Sequence, residues 1–449
     1  GYLAAWSPDD IGAACVSLEA LDTISSEAVV CSLRVEGSWF TGCGLVKKCL
    51  HLQVLILYEC ADLVSLRRVD CVPLLQRITV ERCGLVDTAG IEECRCLKSL
   101  QLRECPWLSR FGWQHVRNSQ ADPREPNEQA GCCAALRSVS IFCCPAFQSM
   151  DSLSAAPHLR EFRGQCTRIS SLDALRECHR LELLDVGGCQ QVHCIEALRG
   201  EKALRYLDIS NTSVANIDAL SQCTALERVN LNGCLRLCSL GWSLAFCTEL
   251  RELHASRTCI ETLIGLRLCR VLSKVDVSGC SALRDTAALA HLSQLTHLNL
   301  SFTAVNDVSS LGYYSGLESV RLRGCRDVRD YSPAHNLEAA PPLRSLDLSD
   351  TDVCSISEWG RCPPRLEKLR MHGCTRLSDI SALQSARRLR VVDLDNTRCT
   401  ERVAAAVGTA PELEELPTNG VTYWTAVSIL RPAGAQRDRS LPNTDGSSR

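Results

Sequence analysis

The sequence predicts an α/β-type solenoid, a horseshoe or arc of about sixteen or seventeen short units stacked in chain order. Parallel strands would line its concave sheet, and short turns or 3-10 segments its convex side. Three observations lead there. An apolar pattern returns almost unbroken along the chain, its ninth position alternates between two residue types, and leucine dominates an apolar set that holds only 5% aromatic residues and 2 methionines. With 449 residues the chain is too long for one compact globule, whose core stops growing near about 250–300 residues.

The unit reads L-x-x-L-x-L-x-x-(C/T), with positions counted from the first leucine. Leu52, Leu55, Leu57 and Cys60 fill positions one, four, six and nine, as do Leu75, Ile78, Val80 and Cys83. The pattern returns at Leu97, Leu136, Leu159, Leu181, Leu204, Leu226, Leu250, Leu272, Leu295, Leu317, Leu343, Leu366 and Leu389, after a weaker unit at Val30 and before a degenerate one at Leu413. Alternating apolar residues such as Leu204, Leu207 and Ile209 predict a short strand with one buried face. Val214, Ile217 and Leu220 supply buried groups from the returning side. One unit alone would leave most of these exposed. Stacked on its neighbours it buries several, each worth roughly 1.5–3 kcal/mol before entropy is subtracted.

At the ninth position Cys144, Thr167, Cys189, Thr212, Cys234, Thr258, Cys280, Thr303, Cys325, Thr351, Cys374 and Thr397 alternate strictly, with glycine before Cys189, Cys234, Cys280, Cys325 and Cys374. The recurring apolar residue comes two positions after Thr (Val214) but three after Cys (Val328), so a tighter Thr unit and a looser Gly-Cys unit form a structural pair of about 45 residues. These residues resemble the short class of leucine-rich repeats found in nuclear regulators of Ser/Thr protein phosphatases. The Gly-Cys units are similar to the cysteine-containing class of F-box receptors. The mixture of LDLSDT (Leu346 to Thr351) with LRMHGC (Leu369 to Cys374) resembles leucine-rich-repeat proteins of trypanosomatid parasites. The resemblance runs from about Val30 to Leu416 and implies a binding scaffold. It does not imply a particular partner, because one fold serves many.

Thirty cysteines would suit a disulfide-rich secreted protein, but their positions point elsewhere. Nine stand at position nine (Cys60, Cys83, Cys105, Cys144, Cys189, Cys234, Cys280, Cys325 and Cys374). Eight more precede the next unit (Cys49, Cys71, Cys94, Cys178, Cys223, Cys247, Cys269 and Cys362). Both columns want a small apolar side chain, and free cysteine is one. No C-x-x-C occurs, which argues against a zinc or redox motif. Reduced thiols in this number predict a cytoplasmic or nuclear setting.

The domain reading is an N-terminal cap over 1–28, with a helix near Ile11–Leu21, followed by the solenoid over 29–416. A C-terminal cap over 417–430 and a disordered tail over 431–449 complete it. An insertion at 107–134 opens with Trp107, Phe111 and Trp113, whose expected role is to cover the core, with gripping a partner as the alternative, and continues as the polar stretch Asn118 to Gly131, read as a mobile loop. A smaller one at Asp330–Pro342 reads as an enlarged turn.

A net charge of -3 offers no global attraction to nucleic acid or an anionic membrane, and no apolar run is long enough to cross a bilayer. P-loop, G-x-G-x-x-G, H-E-x-x-H and G-x-S-x-G signatures are all missing, so no enzyme activity, cofactor or metal is expected. The expected function is a non-catalytic scaffold holding a protein partner on the concave face. The alternative is a regulatory subunit or substrate receptor, of a phosphatase or a ubiquitin ligase. Residues between the inward leucines point out of the sheet and form the candidate partner-binding set: Tyr58, Phe142, Arg163, Asp185, Asp208, Asn230, His254, Asp276, Asn299, Arg321, Asp347, Arg370 and Asp393. Among them the aspartates are the expected acceptors for basic groups on the partner.

Overall fold

The computed structural model describes residues 14–16, 30–113, 133–308, 311, 316–329, 331, 342–359, 362–399 and 413. The rest of the N-terminal cap, the polar loop 118–131, nearly all of the turn 330–342, the C-terminal cap and the tail lie outside them. So does the degenerate unit at Leu413, except for that residue. The chain divides into two compact units, residues 1–295 and 296–449, a division the repeat pattern did not announce.

In the first unit twelve described strands follow in chain order: β1 (Ala14–Val16), β2 (Ser32–Glu36), β3 (Val54–Tyr58), β4 (Arg77–Glu81), β5 (Ser99–Arg103), β6 (Ser138–Phe142), β7 (Glu161–Arg163), β8 (Leu183–Asp185), β9 (Tyr206–Asp208), β10 (Arg228–Asn230), β11 (Glu252–His254) and β12 (Lys274–Asp276). Each pairs in parallel with the next, and like positions face like, as with Leu55 and Ile78 or Leu184 and Leu207. The second unit repeats this with β13 (His297–Asn299), β14 (Ser319–Arg321), β15 (Ser345–Asp347), β16 (Lys368–Arg370) and β17 (Val391–Asp393). Where a helix was expected near residues 11–21, Ala14–Val16 instead pair with Leu33–Val35 as a further strand. A short apolar run carries no period that separates the two forms.

Burial follows the pattern. In β3 the residues alternate between half-buried and buried, with Leu55 and Leu57 fully enclosed. The returning side is a series of 3-10 turns; two of them, Asp173–Glu177 and Asp218–Gln222, open on an acidic residue and bury an Ala-Leu pair. Phe111 and Trp113 are in the core and Trp107 is exposed, so the aromatic part of the insertion covers the core through two of its three rings.

The cysteine columns are stitches between neighbouring units. The thiol of Cys234 donates to the Ile209 carbonyl of the preceding unit at 3.1 Å, and Cys280, Cys325 and Cys374 do the same to Ala255, Leu300 and Leu348. Each threonine in turn contacts the sulfur that follows it, at 3.1–3.5 Å from Thr167–Cys189 to Thr351–Cys374. Its hydroxyl meanwhile donates to a carbonyl of its own turn, as Thr212 does to Ile209. The second column acts on the 3-10 side: Cys223 and Cys269 donate to Leu198 and Leu244. Burial pushes the thiols of Cys178, Cys223 and Cys247 up to about 12, which keeps them protonated as donors. Every cysteine whose side chain is described is free.

Position eight is left-handed in both kinds of unit, at φ 54° for Asn211 and 71° for Gly233. Backbone angle alone therefore does not demand the glycine. A Cβ at Gly233 would stand 2.3 Å from the Asn211 side-chain oxygen, and one at Gly373 equally close to Asp350. At these two positions the preceding Thr unit lays its position-eight side chain over the next turn, and a side chain in place of glycine would have to displace it.

Candidate partner-binding face

The outward positions of the first unit form continuous rows across the strands. At position five Ile56, Thr79, Gln101, Ser140, Arg163, Asp185, Asp208, Asn230, His254 and Asp276 stand in register. At position seven the row runs Tyr58, Glu81, Arg103 and Phe142. In the second unit the position-five row is Asn299, Arg321, Asp347, Arg370 and Asp393. The thirteen candidates thus fall into one row set per unit.

Their environments differ sharply. Tyr58 is half-buried between two guanidinium groups: Arg34 lies 5.0 Å and Arg82 5.8 Å from its ring centre, and Arg82 donates to its hydroxyl at 2.8 Å. Arg82 is itself held by Glu104 at 2.9 Å and Glu59 at 3.5 Å. Phe142 is half-buried at the far end of the same row, and Arg163 is paired with Glu161 at 2.8 Å. Over β2–β6 the face therefore sets Ile56, Tyr58 and Phe142 among polar groups, with Arg34 and Arg82 paired to Glu36 and Glu104 and with Arg103 beside Phe142 in the position-seven row.

From β7 onward the aspartate and asparagine residues do something the sequence did not reveal. All seven at position five, Asp185, Asp208, Asn230, Asp276, Asn299, Asp347 and Asp393, accept the backbone N–H two residues on through Oδ1, at 2.9–3.2 Å. Where His254 interrupts the series, Asn232 of the preceding unit accepts from the Ser256 N–H instead. These side chains close local turns, the bonding for which Asp and Asn are favoured outside regular ladders.

Asp185 and Asp208 are also buried, at 6% and 8% exposure, with their second oxygens taken by Gln165 and Asn230. As acceptors for a basic partner these two are replaced by their own protein. Burial first, then the Asp208 charge beside it, raises the Asp185 carboxyl to about 6. Asn230, His254, Asp276, Asn299, Asp347 and Asp393 remain half-buried, and Arg321 and Arg370 are exposed. His372, Asp393 and Asp395 bring three potential metal-binding atoms within 4.8 Å of one another. One Asp393 oxygen there already accepts from the Asp395 backbone, and the sequence had suggested no metal.

Among solved structures the chain is similar to a leucine-rich-repeat protein of Leptospira interrogans, with a TM-score of 0.65 at 13% identity over 92% of this chain and 96% of that one. The chain has a leucine-rich-repeat fold. It is also similar to TLR13 in a complex with ssRNA13 (TM-score 0.58, 16% identity, 85% of this chain and 58% of that one). A third likeness is to the plant peptide hormone receptor RGFR1 in complex with RGF2 (TM-score 0.55, 14% identity, 90% and 68%). At these identities the likeness is one of leucine-rich-repeat architecture. No family model and no curated protein sequence matches the chain.

Proposed function

We propose that this leucine-rich-repeat protein is a non-catalytic scaffold that binds a protein partner on its outward sheet face, centred in the first unit on Ile56, Tyr58 and Phe142. The observation that carries this reading is the set of half-buried apolar and aromatic side chains Ile56 and Tyr58 on β3 and Phe142 on β6, with Tyr58 held between Arg34 and Arg82, each already paired with a carboxylate. Interfaces draw their energy from such aromatic anchors, with Arg beside them. A nucleic acid would ask for a track of Lys and Arg free to replace counterions. Here Arg82 and Arg163 are held by Glu104 and Glu161.

The position-five residues further along, Arg163, His254, Asp276, Asn299, Arg321, Asp347, Arg370 and Asp393, would set register and selectivity for a long partner. Asp185, Asp208 and Asn230 would support the backbone beneath it. A regulatory subunit or a substrate receptor is one form of this scaffold, and the partner's identity decides between them. The reading includes a reducing compartment, cytoplasm or nucleus, supported by the abundance of free thiols.

Affinity purification with mass spectrometry tests it. The chain should retain a defined set of proteins, and the double variant Y58A/F142A should lose them by about 30-fold, as expected for two anchors. Equal recovery on both, or RNA as the retained species, would reject the assignment.

A further inference from the structure

The 3-10 side of the first unit carries a second surface. Counting back from the residue three before each unit, two columns face outward there. One reads Asp173, Glu196, Asp218, Trp242, Ile264 and Ala287, and the other Glu177, Gly200, Gln222, Phe246, Leu268 and His291. Two successive turns thus replace the polar residues of their neighbours with four large apolar ones. Trp242 and Phe246 are 54% and 53% exposed, Ile264 and Leu268 39% and 46%.

Packing does not require them. The core beneath is closed by Leu240, Leu244, Cys247, Leu263, Leu266 and Cys269, none more than 1% exposed. The two turns are directly successive and in backbone contact: a Cβ at Gly265 would meet the Gly241 carbonyl oxygen at 2.3 Å. The four side chains therefore form one patch rather than two. Contiguous exposed apolar groups with a polar rim mark interaction sites.

The rim is asymmetric. On one side stands Asp218, tied to Ser243 at 2.9 Å. On the other, a shallow hollow of about 380 Å³ is lined by Arg267, Leu268, Arg270, His291 and Ser293. Among the described residues neither arginine has an acidic partner. A hollow of that size admits one side chain, which a bilayer surface does not present, and its guanidinium groups favour a carboxylate.

We propose that Trp242, Phe246, Ile264 and Leu268, with Arg267 and Arg270, dock a segment of a protein partner that presents bulky apolar side chains followed by Asp or Glu. The carboxylate enters the hollow beside the two arginines, and the apolar side chains cover the patch. This surface is distinct from the sheet face. With both in use, the protein would join two partners.

A random peptide-display library selected on the full chain, with counter-selection on W242D/F246Q/I264D/L268Q, tests this. The first two substitutions copy Asp218 and Gln222 of the preceding turn. Recovered peptides should combine aromatic or leucine residues with acidic ones. Their binding, read by fluorescence anisotropy, should fall about 30-fold in that variant and about tenfold in R267E/R270E, and stay unchanged in Y58A/F142A. No enrichment, basic or wholly polar peptides, or equal affinity for R267E/R270E would overturn the proposal. So would a concentration-dependent dimer that the apolar variant abolishes, which would make the occupant a second copy. Binding to phosphatidylserine vesicles through the same residues would overturn it too, making the occupant a membrane.

Discussion

Trp113→Ala should lower stability by about 3–5 kcal/mol, the range for removing a large buried ring from a packed core. Trp113 is 1% exposed, its ring lies 4.4 Å from that of Phe111, and Phe111 meets Phe147 edge-on at 5.0 Å. The indole N–H donates to the Ser152 carbonyl at 3.0 Å, and the Ser152 hydroxyl donates back to the Trp113 carbonyl. Truncation therefore opens a cavity and leaves the Ser152 carbonyl without its donor, and the two losses add. Trp107→Ala is the control. At 67% exposure it should shift the urea midpoint by an amount equivalent to less than about 0.5 kcal/mol. Equal midpoint shifts for the two variants would mean that the cluster does not hold the insertion to the core.

Asp185→Asn should stabilise the protein at pH 8 by about 1–3 kcal/mol and do little at pH 4. The carboxyl is raised from its ordinary 3.8 to about 6 in the folded chain. The folded state then binds more protons than the unfolded one between these values. The contribution of Asp185 to stability is complete below about 3.8 and is lost as the pH rises through about 6. Asparagine keeps the oxygen that accepts from the Gly187 N–H and removes the charge that burial and Asp208 oppose. Thermal melts of both proteins across this pH range should diverge upward from pH 4. Equal destabilisation at both ends would show that the ionised form is needed.

The fold was legible because one rule is repeated. Leu55, Ile78 and Leu207 all declare the same buried face, and errors in one unit are corrected by its neighbours. The Thr/Cys alternation was legible too, and its cause became visible only with the carbonyl that each thiol reaches. The aspartates show the limit. Period gives the side of a strand on which Asp208 lies, but not that its oxygen turns back to the Ser210 N–H. The strand Ala14–Val16 had too few residues to display a period. The apolar patch around Trp242 was hidden for a different reason. Apolar residues on the returning side were read as core, and only comparison down the columns sets Trp242 and Ile264 against Asp173 and Asp218.

The bonds from each threonine to the next cysteine also govern how such a chain can lengthen. Because Thr212 completes Cys234 and the glycine before it makes space for Asn211, the module of the alternating stretch from Cys144 onward is the doublet, not the single turn, whereas Cys60, Cys83, Cys105 and Cys144 stack without it. Excising residues 204–249 removes one doublet and leaves the neighbours properly matched. Excising 204–225 alone sets Gly-Cys against Gly-Cys, with hydroxyl and covering side chain both gone. The first deletion should melt as cooperatively as the parent and the second at a lower temperature, so that the alternating stretch gives up its units in pairs.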